Sequence, residues 1–99
     1  MRIDVVGRDL DVRDEAKARC EETGTKLTKY FDRTQQITYT LSRANDHEFH
    51  AECIVDVETH DDFVAHGRGE TLIKAIDDAT HKATRQLTDF KEKLKLERR

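Results

Sequence analysis

Few side chains in this sequence have the type and spacing that chemistry needs. His47, His50 and Cys53 recur at three-residue spacing and invite a metal-site reading. They fall where apolar and polar residues alternate, so successive side chains point to opposite faces and His50 turns away from both His47 and Cys53. No C-x-x-C or H-x-x-x-H pair supports a closed zinc site, and neither a metal nor another cofactor is expected. The acid pairs Asp61-Asp62 and Asp77-Asp78 have the right type for catalysis. Neighbours on a hairpin tip or a helix do not converge on one point, so both read as solvated charge. No nucleophile elbow, P-loop or dinucleotide fingerprint occurs, and Gly67-Arg68-Gly69 is too short to cradle a phosphate chain. The expectation is a protein that is not an enzyme and takes no small-molecule substrate.

Charge is the stronger signal. Lys74, Asp78, His81, Lys82 and Arg85 lie on the back of a C-terminal helical pattern, and Lys91, Lys93 and Lys95 extend the basic run. One reading is a solvated face held by i,i+4 pairs, Lys74 with Asp78 or Asp78 with Lys82. The other is a surface that meets phosphates. Tyr30-Phe31-Asp32-Arg33 closes an earlier helical pattern, with Lys26 and Lys29 one turn before it. Two helices packed side by side would gather these cations into one groove-like patch. Base-stacking chemistry is not legible: the predicted strands carry no exposed aromatic triplet, the four Phe and two Tyr fall mostly on core faces, and no GxxG loop occurs.

The elements that must position these residues follow from periodicity. Arg2 to Gly7 reads as an opening strand. Val12, Ala16, Cys20, Thr23, Leu27 and Phe31 then mark one face of a helix, with Asp11 as the expected N-cap and Asp14 and Glu15 in the positively polarised first turn. Gly24 costs that helix about 1 kcal/mol relative to alanine and suggests a kink. Ile37, Tyr39 and Leu41 alternate with Thr38, Thr40 and Ser42 in a half-buried strand. After the polar turn Arg43 to Asp46, alternation resumes from His47 to Thr59, with Phe49, Ala51, Cys53, Val55 and Val57 on one face. His60, Asp61 and Asp62 turn the chain into a returning strand, Phe63 to Arg68. Leu72, Ile76, Ala79, Ala83, Leu87, Phe90 and Leu94 make a helical stripe that runs almost to the end, with Thr71 as N-cap and Lys95 to Arg99 expected to fray.

The predicted fold is therefore α+β in the order β-α-β-β-β-α: a four-stranded mixed sheet, one parallel pair and an antiparallel meander, with both helices on one face. One domain should span residues 1–99. Only 35% of residues are hydrophobic and 39% are charged, so the apolar residues must be concentrated on defined faces to offset chain entropy. Gly 4 and Pro 0 argue against a flexible tail. The formal net charge is −3, which counts against nucleic-acid capture by bulk charge. The distribution differs from the sum: residues 1–70 carry ten Lys/Arg against sixteen Asp/Glu, whereas residues 71–99 carry eight against five. No membrane-spanning run and no secretory leader are legible, so a cytoplasmic protein is expected, with Cys20 and Cys53 as buried thiols.

Lys26-Leu27 followed by Tyr30-Phe31-Asp32-Arg33, and Ala75-Ile76-Asp77 followed by Lys82, Ala83, Arg85-Gln86-Leu87 and Lys91-Glu92-Lys93-Leu94-Lys95, resemble the ribosome hibernation promoting factors, also called the ribosome-associated inhibitor or sigma-54 modulation protein family. The resemblance covers essentially the whole chain, and Lys29, Arg68 and Lys74 depart from the family pattern. It implies a fold like an augmented double-stranded-RNA-binding domain and a short form without a further C-terminal domain. It also implies binding to the small ribosomal subunit and its rRNA, in the channel of messenger and transfer RNA. Competition with tRNA and mRNA would then inhibit translation by occlusion and stabilise inactive ribosomes in stationary phase or stress. Carried over residue by residue, Lys26, Arg33, Lys82, Arg85, Lys91, Lys93 and Lys95 are the expected phosphate contacts. A protein-interaction module that modulates a transcription factor is the alternative the same family name leaves open.

Overall fold

The computed structural model describes residues 2–97. Its elements are β1 (Arg2–Gly7), α1 (Asp14–Tyr30), β2 (Thr34–Asn45), β3 (Glu48–Val57), β4 (Phe63–Gly69) and α2 (Leu72–Glu97), the order expected from the sequence. The strands form one sheet in the order β1-β2-β3-β4. β1 runs parallel to β2, with Ile3 beside Ile37 and Val5 beside Tyr39, because the chain returns through α1. The other two pairings are antiparallel, joined by short turns.

Period-two alternation sends Ile37, Tyr39, Leu41, Ala51, Cys53, Val55 and Ala65 to one face, where they are buried against both helices. α1 contributes Ala16, Cys20 and Leu27, and α2 contributes Ala75, Ile76, Ala79, Ala83 and Leu87; Phe49, Leu72 and Phe90 pack at the margins. The opposite sheet face has no helix over it. α2 lies close on β4 because the strand offers glycine there: a Cβ on Gly67 would collide with the backbone of Ala75 and Ala79.

Tyr39 ties the layers together. It is fully buried, and its hydroxyl lies 2.9 Å from Thr23 Oγ1 on α1 and 2.8 Å from Thr80 Oγ1 on α2. With one proton, it donates to one threonine and accepts from the other.

Four local expectations are settled differently or more sharply. α1 begins at Asp14 with Arg13 as its cap residue, without a side-chain capping bond, so Asp11 is not the N-cap. Val12 packs against the core instead of starting the helix, and the extended backbone of Arg13, φ −76° and ψ 160°, sets the start of α1 at Asp14. Gly24 causes no break in α1; its missing side chain admits Ile3, whose Cδ1 would lie 3.0 Å from a Cβ. Thr71 does cap α2, accepting from the Lys74 N–H at 3.1 Å. The last helix continues through Lys95 to Glu97, so these residues are helical where fraying was expected; Arg98 and Arg99 lie outside the described residues.

Candidate nucleic-acid interface

Two sets of contacts fix how α2 is turned. On the α1 side, the Arg19 guanidinium grips Asp77 with two bonds of 2.8 Å, Thr80 meets Tyr39, and Tyr30 Oη meets Thr88 Oγ1 at 2.9 Å. On the β4 side, Asp78 accepts the Arg68 backbone N–H at 3.0 Å and Gln86 donates to the Val64 carbonyl at 2.9 Å. With about 3.6 residues per turn, Lys82 and Lys93 share the β4 side, Lys91 and Lys95 the α1 side, while Lys74, His81 and Arg85 face outward. The single groove-like patch expected from side-by-side helices is therefore not formed. The cations surround α2 on three sides because the helix buries only one.

The expected contacts differ in how free they are. Lys82 Nζ is 3.1 Å from Asp78, one of the two i,i+4 pairs anticipated; the Arg68 N–H first, and Lys82 after it, lower the pKa of the Asp78 carboxyl. Lys74 pairs with Glu70 instead, at 3.8 Å. Lys26 lies 3.7 Å from Glu22 along the exposed face of α1 and borders the groove between the helices with Tyr30, Thr80 and Thr84. Lys91 is engaged: its ammonium donates to the Tyr30 carbonyl at 3.1 Å and sits 4.5 Å above the Tyr30 ring, so it caps the C-terminus of α1. Among the described residues, Arg33, Arg85, Lys93 and Lys95 have no salt bridge.

One end of the molecule brings several of these cations together. Arg33 follows α1, where its carbonyl accepts the Glu58 N–H and ties it to the end of β3. A cleft of about 200 Å³ there is lined by Phe31, Asp32, Arg33, Lys91, Leu94 and Lys95. Beside it a groove of about 320 Å³ joins Arg33 and Lys93 with His60 and Phe90. The sequence reading did not single out His60. It lies in a turn outside any periodic pattern, and only its place three residues before Phe63 hinted at a shared aromatic cluster.

Other chemistry is not assembled. No group of three potential metal ligands occurs among the described residues. His50 lies on the open sheet face with His66, their rings stacked at 5.2 Å and His50 Nε2 3.1 Å from His66 Nδ1. Burial and the neighbouring His66 lower the His50 pKa. Burial pushes the Cys20 and Cys53 thiols up to about 12, so both are unreactive core residues. No helix of the described residues is long and apolar enough to cross a membrane.

A four-stranded mixed sheet backed by two helices on one face, with cations distributed around the longer helix, is an α+β architecture of the double-stranded-RNA-binding-domain type. Residues 3–95 match the family described as sigma 54 modulation protein / S30EA ribosomal protein, and the chain belongs to that family. A ribosomal subunit interface protein from Coxiella burnetii superposes with a TM-score of 0.83 at 18% identity, over 93% of this chain and 99% of that one. The N-terminal domain of Protein Y from Thermus thermophilus superposes with a TM-score of 0.78 at 26% identity, over 91% of this chain and 99% of the other. No curated protein sequence matches the chain.

Proposed function

We propose that the protein binds the small ribosomal subunit in the channel of messenger and transfer RNA and inhibits translation by occlusion, keeping ribosomes inactive under stress or in stationary phase. The observation that carries this reading is the family match across residues 3–95. The geometry is consistent with it. A rigid helix with cations on three sides meets rRNA phosphates without reading sequence, and the acidic remainder of the chain limits indiscriminate binding. Phosphate contacts are assigned to Arg33, Lys82, Arg85, Lys93 and Lys95, with Lys26 at the rim of the interhelical groove. Lys91 acts chiefly by holding the end of α1 against α2.

The family description also names sigma 54 modulation, which supports a second reading as a protein-interaction module. Sedimentation with purified ribosomes through sucrose gradients across a salt series separates the two. Co-sedimentation that falls steeply with salt supports the ribosomal reading, while absence from the ribosomal fractions even at low salt overturns it.

A further inference from the structure

The turn between β3 and β4 carries a strained residue. Thr59 has φ 59°, the left-handed region, where a β-branched side chain is an outlier kept only when its surroundings enforce it. What the turn presents is His60. Its ring lies flat on Phe63, 4.7 Å between centroids and 2° between planes, and 4.5 Å from the Phe90 ring, yet the residue is exposed. His60 thus extends the aromatic end of the core into solvent. Its Nδ1 lies 2.6 Å from the Asp61 carbonyl oxygen, which can only accept, so Nδ1 carries the proton and Nε2 of the neutral ring is an acceptor.

Two grooves flank this ring, and His60, Phe90 and Lys93 line both. One, of about 320 Å³, adds Arg33, Thr59, Leu94 and the acidic Glu97; the other, of about 350 Å³, adds Phe63, Gln86 and Asp89. An exposed aromatic surface, two cations without salt bridges among the described residues and a ring nitrogen that can accept are the groups that a single unstacked ribonucleotide requires. Its base has a π-face, its phosphate a charge, and its 2′-hydroxyl a proton to donate. A paired stem offers the phosphates but keeps its base faces stacked away.

We propose that the β3–β4 turn and the last turns of α2 bind one unpaired nucleotide of RNA, its base against His60 and Phe90 and its phosphate at Arg33 and Lys93. This deepens the ribosome-binding reading and rests on it for the source of the RNA. At this site the protein would distinguish single-stranded from paired rRNA.

The test is a proton NMR titration of the full chain with hexa-adenylate RNA, with a short RNA duplex and inorganic triphosphate as comparison ligands. The His60 ring resonances are assigned through His60→Gln. Binding of hexa-adenylate should move them upfield through the ring current of a stacked base, whereas triphosphate should not. His60→Ala should weaken hexa-adenylate binding about tenfold without changing its salt slope. Lys93→Gln should flatten that slope by about 0.7. His60→Phe retains a π-face but removes the acceptor, so it should keep the affinity for hexa-deoxyadenylate and lower that for hexa-adenylate to the same level. Unmoved His60 resonances, equal shifts with triphosphate, preference for the duplex, or wild-type affinity in His60→Ala would each overturn the proposal. Wild-type co-sedimentation with ribosomes is measured in parallel. Ribosome binding with an inert His60 removes this site alone, and loss of ribosome binding removes the ribosomal reading while the titration still decides the site.

Discussion

At the scale of single residues, a cation contributes to phosphate binding only if its charge is free to leave its protein partners. Arg85 faces outward with no salt bridge among the described residues, Lys82 is shared with Asp78, and Lys91 is committed to Tyr30. Arg85→Gln, Lys82→Gln and Lys93→Gln should each flatten the slope of log ribosome affinity against log salt by somewhat under one unit, with melting temperatures barely altered. Lys91→Gln should lower the melting temperature more than it changes the slope. Glu58→Gln, in an exposed position, is the control. Equal binding by all three cation variants and the wild type at every salt concentration would rule out this face. His50 governs a pH effect. Because burial and His66 depress its pKa below the ordinary 6.5, the folded protein binds fewer protons there than the unfolded chain. Its effect on stability is absent above that value and becomes a loss as pH falls from 6.5 toward the folded pKa. Urea midpoints measured across this window should decline for the wild type and decline less for His50→Gln.

At the scale of elements, the position of α2 depends on small residues beneath it and large ones beside them. Leu87 is fully buried, so Leu87→Ala should cost about 2 to 5 kcal/mol, read from a denaturant midpoint shift. Gly67→Ala should also destabilise, because the added methyl meets helix backbone rather than a side chain that can swing away. Tyr39→Phe is milder, about 0.5 to 1.5 kcal/mol, since without the phenol Thr23 and Thr80 can each donate to a carbonyl of their own helix. A melting temperature unchanged by Leu87→Ala would contradict the packing of α2 on the sheet.

At the scale of the whole molecule, the described residues form an elongated body of 50 × 23 × 19 Å, with α2 running along it. On the proposed reading such a wedge would block a channel by occupying it, and inhibition would need no turnover. Titration into a cell-free translation reaction should give inhibition that is stoichiometric with ribosomes and relieved by excess tRNA. Complete inhibition at a small fraction of the ribosome concentration would indicate catalysis and end the occlusion reading.

The order of elements and the core faces were legible because each is written in a local period. Ile37, Tyr39 and Leu41 alternate as a strand must, and Ile76, Ala83 and Leu87 recur as a helix must. The basic character of the last helix was equally plain, since counting charges needs no fold. What only the tertiary structure decided is where each charge points and which partner it meets. Lys82 and Lys91 look alike in the sequence, yet one lies toward β4 and the other closes α1, because Arg19, Tyr30 and Arg68 come from distant segments to fix the rotation of α2. The aromatic role of His60 was hidden for the same reason. A turn residue has no period, and its stacking on Phe63 and Phe90 exists only once β4 and α2 are packed together.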